Sequence, residues 1–196
     1  MTKLDGVEEV VEAAKQFNFL ENTLLKNRTL TLFGEVTQEV AKRMVEKLLT
    51  LAYESDDSIT LYIGSPGGHV ESGDTIFDMV RYIKPVVFTI GTGWVGSIAT
   101  HIYLAPDLEH RFCLPNTRFL IHQPAGGMGG DASDIEIHAR EILKTRERIN
   151  GIIATQTGQP LDRVESDTDR DFWMSAEESV QYGIVGKIVD SIEDIK

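Results

Sequence analysis

The chain has one cysteine, Cys113, and 19 basic residues against 31 acidic ones. A single cysteine permits no internal disulfide bond, so we expect a reducing compartment. The formal net charge of −12 disfavours binding to nucleic acid, which needs a basic surface, and binding to an anionic membrane surface. No apolar run reaches the roughly 18 residues that span a bilayer, and the first residues lack the apolar core of a signal peptide. We therefore predict a cytoplasmic protein with no nucleic-acid partner and no membrane partner.

Sequence patterns that indicate a cofactor are also missing. The His, Cys, Asp and Glu residues do not stand at the spacings of a zinc site. No Gly-x-x-x-x-Gly-Lys-Ser/Thr motif is present to bind a nucleotide phosphate. We therefore predict no metal and no cofactor, and no hydrolysis of ATP by this chain.

The length of 196 residues fits one domain, and no repeat or low-complexity linker marks a second one. From about Arg28 onward, short apolar runs at 29–33, 59–63 and 86–90 alternate with helical patterns, of which the first has Thr37 as its N-cap. This alternation predicts an α/β fold with a largely parallel sheet, whose strands are buried on both faces. Upstream of it, the pattern predicts a short acidic helix over 5–16 and an irregular stretch over 17–20.

A long helix is predicted in the second half of the chain. Ser133-Asp134-Ile135-Glu136 matches a capping box, and the helical pattern continues to about Gln156, just before Gly158. Some 24 residues at 1.5 Å each give roughly 36 Å, more than a domain of this size needs. Two interpretations stay open: an ordinary surface helix, or a projecting helix whose apolar stripe contacts a partner subunit. The stripe consists of Ile135, Ala139, Ile142, Ile149 and Ile153.

Three short motifs carry the chemistry: Ser65-Pro66-Gly67-Gly68, Gly96-Ser97-Ile98-Ala99 and Ile121-His122-Gln123-Pro124. A serine hydroxyl becomes a nucleophile when an imidazole takes its proton. Glycine lets backbone N–H groups approach the oxyanion that then forms. Asp171 is a candidate to hold the imidazole in the productive tautomer. Because Ser97 stands where a strand leads into a helix, we interpret the chain as a serine peptidase.

Each of these residues also has a simpler explanation. A serine after glycine is usually a turn residue, and a histidine at the end of a strand is more often structural. Asp171 lies in an acidic segment, where it could be a solvated charge or a helix cap. Four further histidines are rivals for the base: His69, His101, His110 and His138.

Several motifs occur together in one order and point to a known family. They include Tyr62-Ile63-Gly64-Ser65-Pro66-Gly67-Gly68, Arg111-Phe112-Cys113-Leu114-Pro115-Asn116, Ile121-His122-Gln123-Pro124 and Asp167-Thr168-Asp169-Arg170-Asp171. With them, the chain resembles the proteolytic subunit of the ATP-dependent Clp protease, the ClpP family, and specifically a divergent bacterial paralogue. The resemblance implies a crotonase-like α/β fold with a long protruding handle helix. It also implies an N-terminal axial segment over 1–24 and a single peptidase domain over 25–196, with the handle region at about 123–157.

The resemblance assigns functional residues by position. The nucleophile, base and orienting acid fall on Ser97, His122 and Asp171. The oxyanion hole falls on the backbone N–H groups of Gly68 and Ile98. The contact between rings falls on Asp169 and Arg170, and unfoldase docking falls on Tyr62 and Phe112.

The resemblance also implies partners. Seven subunits form a ring, and two rings stack through their handles into a tetradecamer. An AAA+ unfoldase such as ClpX or ClpA consumes ATP and delivers unfolded polypeptide, and short peptides are cleaved as well. The chain departs from the family pattern at Thr60, His69, Trp94 and Ile98, which suggests a second ClpP paralogue as a further partner. Two alternative functions are a structural or regulatory ring subunit and an acyl-CoA hydratase or isomerase of the crotonase fold.

Overall fold

The computed structural model describes residues 19–127 and 129–195. The acidic helix predicted over 5–16, and most of the segment predicted over 1–24, lie outside these described residues. Residues 19–26 are helical, whereas the sequence pattern predicts an irregular stretch at Phe19 and Leu20. Local bonds explain the difference, because the Thr23 hydroxyl donates to the Phe19 carbonyl and the Asn27 amide donates to the Thr23 carbonyl.

The strands of the described residues form one sheet, and most of its pairs are parallel. They are β1 (Thr29–Val36), β2 (Ile59–Gly68), β3 (Val87–Gly96), β4 (Arg111–Cys113), β5 (Arg118–Ile121), β6 (Phe172–Met174) and β7 (Lys187–Ile188). The strand order is β1-β2-β3-β4-β7. The first half of β3 pairs with β4, and its second half pairs in parallel with β5, which in turn pairs antiparallel with β6. The predicted α/β fold with a largely parallel sheet is therefore confirmed.

The helices pack around this sheet and enclose the apolar core. They are α1 (Gln38–Glu54), α2 (Val70–Tyr82), α3 (Ile98–Tyr103), α4 (Ala132–Thr157), α5 (Leu161–Asp167) and α6 (Ala176–Tyr182). Thr37 caps α1 as predicted, accepting a hydrogen bond from the Val40 N–H. Within 19–127 and 129–195, no helix combines the length and the apolar character needed to cross a membrane.

Two strands extend beyond the apolar runs that predict them. β2 continues past Ile63 through the Ser-Pro-Gly-Gly motif to Gly68, and β1 continues past Gly34 to Val36. Their pairing shifts register between Phe33 and Glu35 and then resumes, with Glu35 opposite Gly67. A bulge of this kind lets a strand run on beyond a glycine, and it delivers Gly67 and Gly68 to one end of the sheet.

The long helix α4 projects from the domain. Only its last third is buried, through Ile149, Asn150 and Ile153, whereas Ile135 and Ile142 are 49% and 39% exposed. Its N-cap is Asp131, so the predicted capping box at Ser133 is wrong: Ser133 already lies in the first helical turn, where its hydroxyl is too far along to cap.

The C-terminal end of α4 is fixed against the domain. The helix ends at Gly158, whose φ of 72° is the left-handed cap that glycine favours. The backbone of Gly183 packs against this end so closely that a Cβ there would lie 2.3 Å from the Thr157 carbonyl oxygen. The helix is therefore anchored at one end and free of the domain at the other.

Candidate active site

Ser97 lies at the junction between β3 and α3 in an unusual backbone conformation. Its φ of 55° and ψ of −129° fall in a region that non-glycine residues rarely occupy. Neighbouring bonds hold this turn in place, because the Ser97 N–H donates to the Leu120 carbonyl at 2.9 Å. The Thr100 hydroxyl also donates to the Leu120 carbonyl, at 2.9 Å. Strained backbone held by its surroundings is typical of functional sites.

The sheet register brings Ser97, His122 and Asp171 together. Gly96 is paired with Leu120 in the parallel β3–β5 ladder, so the residues that follow each strand are neighbours. Ile121 is paired with Phe172 in the antiparallel β5–β6 ladder, which sets Asp171 beside His122. Residues separated by 25 and 49 positions in the chain thus form one hydrogen-bonded row.

The distances within this row suit proton transfer. His122 Nε2 lies 2.8 Å from Ser97 Oγ, and His122 Nδ1 lies 3.0 Å from Asp171 Oδ1. When the carboxylate accepts the Nδ1–H, the Nε2 lone pair is left to accept the serine proton. Both separations lie within the range required of a base and its nucleophile. The Asp171 side chain is 64% exposed, so solvent screens its charge.

The two glycines after Pro66 pack closely on their neighbours, Gly67 on the Ser97 turn and Gly68 on β1. A Cβ on Gly67 would lie 2.7 Å from Ser97 Cβ and 3.1 Å from the Ile98 nitrogen, and a Cβ on Gly68 would lie 2.4 Å from the Val36 carbonyl oxygen. Both residues also have positive φ angles, of 97° and 152°. Glycine is therefore required at both positions.

The oxyanion hole predicted at the N–H groups of Gly68 and Ile98 remains a prediction. Ile98 begins α3, and the first N–H groups of a helix have no intrahelical acceptor. Gly68 ends β2 at an exposed position. The N–H of Ile98 is thus one backbone donor directly after the nucleophile.

The rival histidines lie elsewhere. His101 is buried beside Asp74, His69 bonds Ser72, and His110 packs edge-on against Phe88. His138 lies on the projecting helix α4. Of the described imidazoles, His122 is the one hydrogen-bonded to Ser97.

The residues predicted to join two rings lie beside Asp171. Asp169 and Arg170 are both exposed in the segment after α5. Gln123 ties this segment to the end of β5: its N–H donates to the Thr168 carbonyl at 2.6 Å, and its side chain donates to the Asp169 carbonyl at 2.7 Å. Contact between rings through these residues stays a prediction.

The residues predicted to dock an unfoldase belong to a separate apolar cluster. Phe112 is buried with Ile90 and Val189, and Tyr62 packs against them from β2. A cavity of about 650 Å³ opens beside Phe112, with Leu108 and Lys187 in its wall. The docking role of Tyr62 and Phe112 stays a prediction.

Comparisons with known proteins agree with one another. The family model described as Clp protease matches residues 12–192. The chain is 56% identical to the ATP-dependent Clp protease proteolytic subunit 3 of Rhizobium johnstonii, over 89% of this chain and 90% of that relative. It is 52% identical to the proteolytic subunit 2 of Pseudomonas aeruginosa, over 87% of this chain and 85% of that relative. A solved mutant of ClpP1 from Listeria monocytogenes matches with a TM-score of 0.85 and 50% identity, covering 90% of this chain and 99% of that one.

Proposed function

This chain belongs to the Clp protease family and has the ClpP-type fold, and on that premise we propose that it cleaves peptide bonds as a serine endopeptidase. The observation that carries the proposal is the row Ser97–His122–Asp171, with separations of 2.8 and 3.0 Å. Three side chains in this order supply a nucleophile, a base and a group that orients the base.

The proposed reaction has two stages. His122 removes the Ser97 proton as Oγ attacks the peptide carbonyl, and the N–H groups of Gly68 and Ile98 stabilise the oxyanion. His122 then gives the proton to the leaving amine, the C–N bond breaks, and an acyl-enzyme remains. A water molecule, deprotonated by His122, attacks the acyl group and releases the new carboxyl end with Ser97 restored. Asp171 keeps the His122 ring oriented throughout.

We further propose the assembly that the family implies, a tetradecamer of two stacked heptameric rings. Exposed apolar side chains on the projecting part of α4, including Ile135 and Ile142, support a subunit contact there. An AAA+ unfoldase such as ClpX or ClpA would consume the ATP and deliver unfolded polypeptide, so the chain itself needs no cofactor. A cytoplasmic location stays a prediction from the sequence.

The relatives named as subunits 2 and 3 are consistent with a second ClpP paralogue as a partner ring. A purely structural or regulatory subunit is not favoured, because such a subunit has no need of the hydrogen-bonded Ser97–His122–Asp171 row. Membership of the Clp protease family likewise disfavours an acyl-CoA hydratase or isomerase.

Labelling with a fluorophosphonate probe tests the mechanism. We expect one adduct by intact mass on the wild-type protein and none on Ser97→Ala. Ser133→Ala, an exposed serine at the start of α4, is the matched control and should label fully. An adduct that persists on a well-folded Ser97→Ala variant would rule out Ser97 as the nucleophile.

A further inference from the structure

A small pocket lies directly beside Ser97 and His122. Its walls are mostly apolar, formed by Val70, Ile98, Ile121, Pro124, Ile149 and Ile153. Its volume is about 20 Å³, which is room for one group of the size of a water molecule. A large aliphatic side chain does not fit this space as it stands.

His101 contributes a polar side chain to the wall of this pocket. Among the described residues that line the pocket, it is the one with a polar side chain besides Ser97 and His122. It is 2% exposed, yet its Nδ1 has no hydrogen-bond partner among residues 19–127 and 129–195. Buried polar atoms are nearly always paired, so this imidazole requires an explanation.

The His101 ring is held in place by its neighbours. It packs on the Phe77 ring with centroids 4.4 Å apart. Its Nε2 lies 3.2 Å from Asp74 Oδ1, and Asp74 Oδ2 pairs with Arg148 from α4 at 2.5 Å. Burial alone would raise the pKa of Asp74, but the interactions with His101 and Arg148 outweigh it and lower that pKa. Asp74 is therefore a carboxylate, and its Oδ1 lies beside the Nε2 edge of the His101 ring.

The position of the pocket indicates what enters it. In the acyl-enzyme, the carbonyl carbon is bonded to Ser97 Oγ, so the side chain of that same residue lies within a few bond lengths of the pocket. The hydroxyl group of a short side chain would fill a space of this size and supply the partner that His101 Nδ1 lacks. A short apolar side chain would leave Nδ1 unpaired, at a cost in free energy.

We propose that His101 is a specificity-determining residue that directs cleavage to bonds after small hydroxyl-bearing residues, serine and threonine. The inference rests on the proposed serine peptidase function. It makes the buried imidazole, rather than the apolar walls alone, the source of the preference.

The test uses fluorogenic peptides that differ only in the residue before the cleaved bond: Ser, Ala or Leu. We expect wild-type protein to cleave after Ser with a kcat/KM about fivefold above that after Ala, the scale of one hydrogen bond. In His101→Phe, which keeps an aromatic ring against Phe77, the Ser-to-Ala ratio should fall to about one. His101→Gln keeps a hydrogen-bonding group and should retain part of the preference. His110→Phe changes a histidine outside the pocket and should leave the ratio unchanged.

The outcomes separate this inference from the proposed function. A Ser-to-Ala ratio that is the same in wild type, His101→Phe and His101→Gln overturns the inference, as does a wild-type preference for Leu, and a water molecule would then be the occupant of the pocket. Fluorophosphonate labelling of Ser97 is measured on every variant. Labelling that is absent from all of them counts against the proposed function, whereas labelling with an unmoved ratio counts against the role of His101 alone.

Discussion

The side chain of Ile98 occupies the space that any side chain on Gly73 would need. A Cβ on Gly73 would lie 2.1 Å from Ile98 Cγ1 and 3.1 Å from Ile98 Cδ1. Gly73 lies within α2, and Ile98 follows Ser97 at the start of α3. The helix that follows Gly68 thus packs directly on the residue after the predicted nucleophile, and the β-branched residue at 98 is accommodated by a glycine opposite it.

Gly73→Ala should therefore destabilise the domain by about 1–3 kcal/mol, the range for overpacked cores. Peptide hydrolysis should fall as well, because the displaced Ile98 moves the Ser97 turn. Gly151→Ala is the matched control, since nothing lies within 4 Å of a Cβ there and alanine favours a helix. Thermal unfolding and kcat/KM measure both effects, and adding Ile98→Ala to Gly73→Ala should recover part of the loss. Equal behaviour of Gly73→Ala and Gly151→Ala would contradict the packing argument.

Asp171→Asn should lower kcat for peptide hydrolysis by about 10²–10⁴, because the amide no longer favours the productive tautomer of His122. The exposure of Asp171 places the expected loss toward the lower end of this range. Steady-state hydrolysis of a short peptide measures it. Asp162→Asn, an exposed aspartate in the first turn of α5, is the control and should leave kcat unchanged. A kcat within threefold of wild type in Asp171→Asn would remove Asp171 from the mechanism.

Arg111 is buried, and its guanidinium donates to the carbonyls of Pro106, Gln156 and Ile184. Lysine has one ammonium group and cannot reach all of these acceptors. Arg111→Lys should therefore lower the free energy of unfolding by about 2–4 kcal/mol, the scale of one or two lost hydrogen bonds to a charged donor. Arg140→Lys on the exposed face of α4 should be near neutral in the same denaturant titration. Similar midpoints for the two variants would show that the carbonyl contacts contribute little.

Cys113 is fully buried in β4, and burial raises the pKa of its thiol to about 12 from 9.0. The thiolate is the reactive form, so native protein should resist a thiol reagent at pH 8 and react promptly once unfolded in denaturant. The Cys113 thiol has a higher pKa in the folded protein than in the unfolded chain. Its ionisation therefore leaves the free energy of unfolding unchanged below pH 9 and lowers it as the pH rises from 9 toward 12. Rapid native-state labelling at pH 8 would show that β4 opens readily.

The kind of site was predictable from the sequence, whereas its geometry was not. Ser97 and His122 each follow an apolar run, and parallel strands bring such ends to one edge of the sheet. The separation of 2.8 Å depends instead on the register of Gly96 with Leu120, which no local pattern specifies. Asp171 joins through the antiparallel pairing of β6, a three-residue strand too short to recognise by periodicity.

Two other features depend on tertiary packing alone. Trp94, which departs from the family pattern near the nucleophile, stacks on Trp173 with centroids 5.8 Å apart, and it is not among the residues that line the pocket. His101, Asp74 and Arg148 come from three helices, so their spacing in the chain carries no signal of their contact. The sequence presents His101 only as a rival base.

Because α4 is anchored at its C-terminal end, any tilt of this helix would turn about that end. Its pivot is the buried turn at Ile149 and Ile153, closed by Gly158 and backed by Gly183. The arm from Ala132 to Arg148 extends for roughly 25 Å at 1.5 Å per residue, so a tilt of about 10° at the pivot moves its tip by about 4 Å. Arg148 stands at the pivot and holds Asp74, which faces His101. The anchored end of α4 is thus linked through Arg148 and Asp74 to His101, in the wall of the pocket beside Ser97.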